Sequence, residues 1–131
     1  MRYRYPAPWR SGDDQLAAFE DRQKECDEFR KTVLASKRIL CVGAGSTGCE
    51  VAGYTKELYP DKTVGICHKG DVILSDLPGC HDAAEEAFKA LGIEVLHNTP
   101  YSEDLKKEWD VVIDCRGMQI FGPRLFLQGK L

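Results

Sequence analysis

Short apolar runs alternate with longer amphipathic stretches along most of the chain. The runs are rich in β-branched residues, and some are apolar at consecutive positions, as in Val111-Val-Ile113. This pattern is typical of strands that are buried on both faces of a parallel sheet. Strands are predicted over residues 38–42, 63–68, 93–97 and 110–115.

Between and before these runs, apolar residues recur three or four positions apart, which predicts helices. Helices are predicted over residues 13–35, 47–59 and 80–91, with one or two turns within 101–109. Ser102 can cap the last of these, and Gly92 is placed to end the third. The first helix is expected to lie against the sheet through one apolar stripe, formed by Leu16, Phe19, Cys26, Phe29 and Val33.

Strands that alternate with helices at this spacing predict an α/β fold with helices on both faces of the sheet. We expect a three-layer Rossmann-like domain whose parallel sheet has about four strands, in the order 3-2-1-4.

The first strand leads directly into a glycine-rich turn, Gly43-Ala-Gly-Ser-Thr-Gly48, and then into a helix. In a G-x-G-x-x-G turn, the first glycine permits the sharp turn and the second lets a pyrophosphate approach the backbone. The third lets the helix pack closely on the strand. The helix N-terminus adds free N–H groups and a partial positive charge. The sequence therefore predicts a nucleotide-binding loop, the alternative being a purely structural turn.

Ligands of parallel α/β sheets bind beyond the carboxyl ends of the strands. We therefore expect one site formed by the turn 43–48, His68–Lys69, Asn98–Thr99 and Cys115–Gly117.

His68 stands where many dinucleotide sites carry an acidic residue, about 20 positions after the glycine-rich turn. That acid holds the ribose 2′-hydroxyl of NADH and repels the 2′-phosphate of NADPH. A histidine followed by Lys69 would not repel the phosphate, so the site is expected to discriminate poorly between the two cofactors. The alternative is that His68 only ends its strand.

Length and composition narrow the classes of function. A chain of 131 residues, 43% hydrophobic and 30% charged, has the size of one globular domain. Its net charge of −3 gives no general reason to bind nucleic acid. No apolar run is long enough to span a bilayer, and no signal peptide is visible.

The arm over residues 1–11 is aromatic and basic. It could bind nucleic acid, but with only three arginines we favour packing on a neighbouring domain.

Six cysteines stand at positions 26, 41, 49, 67, 80 and 115, and no two of them form a C-x-x-C pair. We expect reduced, mostly buried thiols and an intracellular reducing compartment, cytoplasmic or mitochondrion-associated. The three histidines are not at ligand spacing on any one element, so no metal site is predicted.

Three motifs carry a resemblance to a known family. They are Val42-Gly-Ala-Gly-Ser-Thr-Gly-Cys-Glu-Val-Ala52, Leu91-Gly-Ile-Glu-Val95 and Asp110-Val-Val-Ile-Asp-Cys-Arg-Gly117. Residues 37–117 resemble the NAD(P)H-binding domain of the pyridine nucleotide-disulfide oxidoreductase superfamily. Within it, they are most similar to the apoptosis-inducing-factor-like, ferroptosis-suppressor and type II NADH dehydrogenase flavoproteins. Residues 1–36 resemble the arm and helix that enter this domain from the flavin domain.

The resemblance implies roles for individual residues but assigns no catalytic side chain. Gly43, Gly45, Ser46, Thr47 and Gly48 would hold the pyrophosphate. Glu50 would reach the nicotinamide carboxamide, His68 would lie by the adenine ribose, and Gly117 would approach the nicotinamide. The full set of cofactor-binding candidates also includes Ala44, Lys69, Cys115 and Arg116.

Two departures from the family pattern stand out. Arg116 occupies a position where the family has threonine, which affects the nicotinamide end. The family also inserts a three-stranded meander where this chain has only residues 99–109, too few for three strands of about five residues. We expect this connection to span the sheet without covering it. The isolated chain is then expected to self-associate, using the arm at 5–9 or the apolar tail at 121–127 as a cover.

These observations predict an NAD(P)H-binding domain, over residues 37–131, of an FAD-dependent NAD(P)H oxidoreductase. The parent enzyme would pass hydride to flavin and electrons to a quinone-like acceptor. FAD would be bound by a flavin domain, because the chain has no second G-x-G-x-x-G, and the isolated chain would be inactive. A short-chain dehydrogenase would need Tyr-x-x-x-Lys, which is absent, and a methyltransferase usually has an acid where this chain has Val42. The alternative is a non-catalytic, nucleotide-sensing regulatory domain.

Overall fold

The computed structural model describes residues 19–117, which form four helices and four strands. In chain order they are α1 (Phe19–Ala35), β1 (Arg38–Val42), α2 (Ser46–Leu58), β2 (Thr63–Cys67), α3 (His81–Leu91), β3 (Glu94–Leu96), α4 (Glu103–Lys106) and β4 (Val111–Asp114). The predicted arm at 5–9, the tail at 121–127 and the first part of the predicted 13–35 helix lie outside the described residues.

The strands form a single parallel sheet in the order β3-β2-β1-β4. β1 pairs with β2 on one side and β4 on the other, which sets Leu40 opposite both Gly65 and Val112. The Rossmann-like α/β fold and the strand order 3-2-1-4 are therefore confirmed.

Most element boundaries agree with the sequence prediction, but β3 is shorter. Ile93 is outside the strand because its N–H donates to the carbonyl of Phe88 across the end of α3. Gly92 ends that helix in the left-handed region, at φ 73°, as predicted. At the other end of β3, Asn98 is also left-handed, at φ 51°, and the strand stops at Leu96.

One face of the sheet is covered by helix. Ile39, Val64 and Ile66 are fully buried, and α2 packs on β1 and β2 with the fully buried Ala52. Alternate residues of the same strands point to the opposite face.

The opposite face is covered by the connection between β3 and β4. Trp109, Tyr101 and Leu105 pack on a buried cluster that contains Leu40 and Val42 of β1, together with Cys67 of β2. The expectation that this connection spans the sheet without covering it is therefore wrong. One physical reason is Gly65, because the indole of Trp109 occupies the space that a side chain at position 65 would need.

The N-terminal helix α1 is divided between two compact units. One unit contains its residues up to Arg30, and the other comprises Lys31–Gly117. Among the described positions of the predicted apolar stripe, Val33 is buried, Phe29 is half-buried, and Phe19 and Cys26 are exposed. Of these, only Val33 belongs to the unit that contains the sheet, so the packing of the stripe on the sheet stays a prediction.

All six cysteines are free thiols. Cys41, Cys49 and Cys67 are buried and Cys115 is half-buried, so the prediction of mostly buried, reduced thiols is confirmed, with Cys26 and Cys80 exposed. Among residues 19–117, no helix combines the length and the apolar composition that crossing a membrane requires.

Candidate nucleotide site

A cleft of about 650 Å³ opens at the carboxyl ends of β1, β2 and β4. Its walls come from the glycine-rich turn, the segment after β2, the segment before α4 and the residues after β4. The lining residues are Val42, Gly43, Ala44, Gly45, Ser46, Thr47, Cys67, His68, Lys69, Gly70, Val72, Ser75, Asp76, Pro100, Tyr101, Cys115, Arg116 and Gly117.

The glycine-rich turn is compact because two of its glycines leave no room for a side chain. Gly43 has φ 101°, and its N–H donates to the carbonyl of Cys67 at 2.9 Å. A Cβ on Gly48 would clash with the carbonyl oxygen of Gly43, so the start of α2 lies directly against the turn. These contacts fix the N-terminus of α2 at the edge of the cleft.

Gly45 differs from its neighbours. It is the N-cap of α2 in an extended conformation, φ −77° and ψ −173°, which any residue can adopt. No heavy atom lies within 4 Å of the place where its Cβ would be, and no side chain caps the helix. The missing side chain therefore leaves open space in front of a helix N-terminus whose first N–H groups need an acceptor. A phosphate group fits this arrangement in both shape and charge.

The segment between β2 and α3 forms a wall of the cleft that the sequence analysis treated only as a loop. Leu74 N–H donates to the carbonyl of Ala44 at 2.8 Å, with Leu74 itself at φ 52°. This bond ties the loop to the glycine-rich turn and brings Val72, Ser75 and Asp76 to the cleft. Their place in the loop that follows β2 could have suggested that they line the cleft. No local sequence pattern showed which residues of the loop face it.

Arg116 brings a positive charge to the cleft. Its Nε donates to Oδ1 of Asp114 at 2.9 Å, its Nη2 lies 2.6 Å from Oδ2, and its guanidinium lies 5.5 Å from the centroid of the Tyr101 ring. The guanidinium lowers the pKa of the Asp114 carboxyl, so the ion pair is present at neutral pH. Arg116 is thus held in place although its side chain is largely exposed.

His68 is part of a chain of three titratable side chains. Its Nε2 lies 2.8 Å from Nδ1 of His97, and Nε2 of His97 lies 2.8 Å from Oε1 of Glu85 on α3. Backbone bonds join the two histidine segments, because Thr99 N–H donates to the His68 carbonyl and Asn98 N–H donates to the Gly70 carbonyl, both at 2.8 Å. Burial and the nearby His97 lower the pKa of His68, so its ring is uncharged at neutral pH.

Two thiols lie in the cleft wall, and their surroundings shift their pKa values in opposite directions. Burial raises the pKa of Cys67. Cys115 accepts a hydrogen bond from the buried Cys41, which lowers the pKa of Cys115. Behind the wall, burial raises the pKa of Cys49 to about 11. No cluster of metal-binding side chains occurs within 19–117.

The structure brings nearly all of the predicted site residues to this cleft. Two do not line it: Glu50 is exposed on α2, and Gly48 is buried against the turn behind the cleft. Asn98 and Thr99 do not line it either, and the next two residues, Pro100 and Tyr101, do. Which of these residues contact a nucleotide stays a prediction.

Comparisons with known proteins agree with this geometry. The family model described as pyridine nucleotide-disulphide oxidoreductase matches residues 6–118. The FAD-dependent oxidoreductase FVFD30 of Flammulina velutipes is 31% identical over 83 residues, which is 62% of this chain and 26% of that protein. Human ferroptosis suppressor protein 1 is 27% identical over 138 residues, covering 88% of this chain and 36% of that protein.

A solved structure shows the same fold. An engineered water-forming NADPH oxidase, bound to NADPH, superposes with a TM-score of 0.61 at 14% identity, covering 89% of this chain and 29% of that one. The chain therefore spans between about a quarter and a little over a third of the length of these relatives.

Proposed function

Since the chain belongs to the pyridine nucleotide-disulphide oxidoreductase family, we propose that its Lys31–Gly117 unit binds NADH or NADPH in the cleft at the carboxyl edge of the sheet. The observation that carries this proposal is the uncapped N-terminus of α2, which faces open space beside Gly45. The pyrophosphate of a dinucleotide would accept hydrogen bonds from the N–H groups there. It would also meet the positive end of a helix of 13 residues.

Arg116 adds a second positive element to the same cleft. The pairing with Asp114 restricts the motion of its guanidinium, so less conformational entropy is lost when it contacts a ligand. The two phosphates of a dinucleotide are a suitable partner for this charge together with the N-terminus of α2.

We propose further that the unit acts as part of an FAD-dependent NAD(P)H oxidoreductase with a quinone-like acceptor. FAD supplies the acceptor for the hydride when it is bound, and this chain has only one G-x-G-x-x-G turn, which its own nucleotide would occupy. FAD would therefore belong to a flavin domain of the same parent protein. The names of the relatives support this assignment, and the chain's own residues would bind and orient the nicotinamide cofactor.

We also propose an intracellular, reducing location, cytoplasmic or mitochondrion-associated, which six free thiols support. Selective labelling in intact cells should find the exposed Cys26 and Cys80 reduced. Finding them in disulfides would contradict this location.

Gly45 offers a test of binding that is separate from folding. A side chain at position 45 meets no protein atom, so Gly45→Val should remain folded and lose only the roughly 1 kcal/mol by which valine is a poorer N-cap than glycine. The same side chain occupies the phosphate position, so the affinity for NADH should fall roughly tenfold or more.

Gly53→Val is the matched control for the Gly45 test. It adds the same side chain in open space on α2, at a residue that does not line the cleft. Titration calorimetry should show parental affinity for this control. If Gly45→Val and the parent chain bind NADH equally well, or if neither binds it, the proposed site is wrong.

A further inference from the structure

The glutamate–histidine–histidine chain determines which nitrogen of His68 carries a proton. The Glu85 carboxylate is an acceptor, so Nε2 of His97 must carry the proton of their 2.8 Å bond. In a neutral His97, Nδ1 is then a lone-pair acceptor. Nε2 of His68 must therefore donate across the 2.8 Å gap to His97.

This assignment leaves Nδ1 of His68 as an unprotonated acceptor. The nitrogen lies on the Gly70 side of the ring, 3.4 Å from the place where a Gly70 Cβ would be. Both residues line the cleft, and within the described part of the chain this nitrogen has no hydrogen-bond partner. A neutral His68 thus offers the cleft one acceptor, the role that a carboxylate has in many dinucleotide sites.

Uptake of one proton reverses this role. The proton binds Nδ1 of His68, and the Nε2 proton of His68 can pass to Nδ1 of His97, whose ring then carries the charge beside Glu85. Whether the charge stays on His68 or moves to His97, Nδ1 of His68 becomes an N–H donor. No electrons move, and the chain of three side chains gains exactly one proton.

We propose that Glu85 and His97 orient His68 as a selector between the two cofactors. The neutral pair accepts a hydrogen bond from the ribose 2′-hydroxyl of NADH, and the protonated pair donates one to the 2′-phosphate of NADPH. His68 is the residue that contacts the ligand, while His97 and Glu85 are positioning residues. This inference rests on the proposed nucleotide site.

The surroundings of His68 determine the pH range in which it takes up a proton. Burial and His97 oppose protonation of His68, while Glu85 and Asp71 favour it, with burial the larger effect. Lys69, Asp76 and Arg116 are the other charged residues that line the cleft. His68 is therefore uncharged at neutral pH, and it takes up a proton below the ordinary histidine value of about 6.5.

The first test needs no ligand. Long-range ¹H–¹⁵N NMR of the full chain should show His68 and His97 both protonated at Nε2 at about pH 7.5, with the half-buried His81, which contacts neither of them, as internal reference. Glu85→Gln should mix the tautomers, because an amide can accept or donate. A His68 ring protonated at Nδ1 in the parent chain at this pH would overturn the inference whether or not a nucleotide binds.

The second test measures the ratio of the dissociation constants for NADH and NADPH at about pH 7.5 and pH 5.5. The parent chain should shift toward NADPH by roughly tenfold, which corresponds to one hydrogen bond to a charged group. In His68→Gln, the ratio should change only by the effect of the ionisation of the 2′-phosphate itself. His68→Glu should prefer NADH at both pH values.

The outcomes of this second test separate the two proposals. If neither cofactor binds at either pH, the proposed function fails. The NMR measurement alone then tests the proton positions assigned to His68 and His97. If both bind, and the parent chain and His68→Gln show the same pH dependence, the selector is wrong and the site stands.

Discussion

Gly65 and Gly53 show how one added methyl group can have opposite effects at two positions. A Cβ on Gly65 would overlap the ring of Trp109, and the Arg38 guanidinium also lies over this ring, 4.5 Å from its centroid. A Cβ on Gly53 meets no atom within 4 Å and would lie in the interior of α2.

We predict that Gly65→Ala lowers the free energy of unfolding by about 1–3 kcal/mol, as overpacking does. Gly53→Ala should raise it by up to about 1 kcal/mol, since alanine is the better helix former. Urea denaturation of both variants measures the two effects. Equal stability of Gly65→Ala and the parent chain would show that Trp109 does not lie over Gly65.

At the residue scale, the sequence identified the glycines of the turn but not the partners of His68. A G-x-G-x-x-G pattern is local, so Gly43, Gly45 and Gly48 could be assigned from spacing alone. His97 and Glu85 are 29 and 17 positions away from His68, and they meet it only because α3 and β3 return beside β2. No periodicity along the chain encodes that juxtaposition.

Among the secondary-structure elements, β1 and β4 are held together by their pairing in the sheet and, at their starts, also by the carboxylate of Asp110. Oδ2 of Asp110 accepts hydrogen bonds from the N–H groups of Lys37 at 2.7 Å and Arg38 at 2.9 Å. These bonds, first the one from Arg38, lower the pKa of Asp110. Because the pKa is lower in the folded chain than in the unfolded one, the carboxylate stabilises the fold above the unfolded value of about 3.9. That contribution is lost as the pH falls through the folded value.

We predict that Asp110→Asn lowers the melting temperature at neutral pH, and that its difference from the parent chain shrinks as the pH falls below about 4. Glu57→Gln, which removes an exposed charge from α2, is the matched control and should leave the melting temperature unchanged. Thermal unfolding followed by circular dichroism across this pH range is the measurement. A difference that stays constant down to about pH 3 would contradict the role of the ionised carboxylate.

The elements themselves were predictable to different degrees. β1 has its predicted bounds because its apolar run, residues 39–42, follows two basic residues and ends at the glycine-rich turn. The cap of α4 was also predictable, and Ser102 Oγ accepts from Leu105 N–H at 3.1 Å. β3 was predicted too long, because the left-handed turn at Asn98 depends on its bond to Gly70 on another segment.

At the scale of the whole molecule, the length of the connection between β3 and β4 did not predict whether it covers the sheet. Residues 99–109 are too few for further strands, and the structure has none between Leu96 and Val111. Large side chains cover the face instead, with Trp109 over the bare backbone of Gly65. The sheet therefore gives no reason for the self-association that the sequence analysis predicts.

Other surfaces still support that self-association. Tyr54 and Leu58 are 67% and 69% exposed and stand four positions apart on α2, so they lie on one side of the helix. We predict dimers or larger species at micromolar concentration, and Tyr54→Gln with Leu58→Gln should shift the population toward monomer.

Light scattering after size exclusion checks this prediction, with Glu57→Gln, between the two substituted positions, as the control. A parent chain that elutes as a monomer of 14.7 kDa would contradict it.

The strand order also determines when the protein can become stable during its synthesis. β1 is an inner strand, yet one of its two neighbours, β4, is the last of the four described strands to leave the ribosome. Until then the exposed edge of β1 presents unpaired N–H and C=O groups, which invite pairing with another nascent chain. Ribosome-bound chains that stop before β4 emerges should therefore be protease-sensitive and chaperone-bound, and protection should appear abruptly once β4 is free.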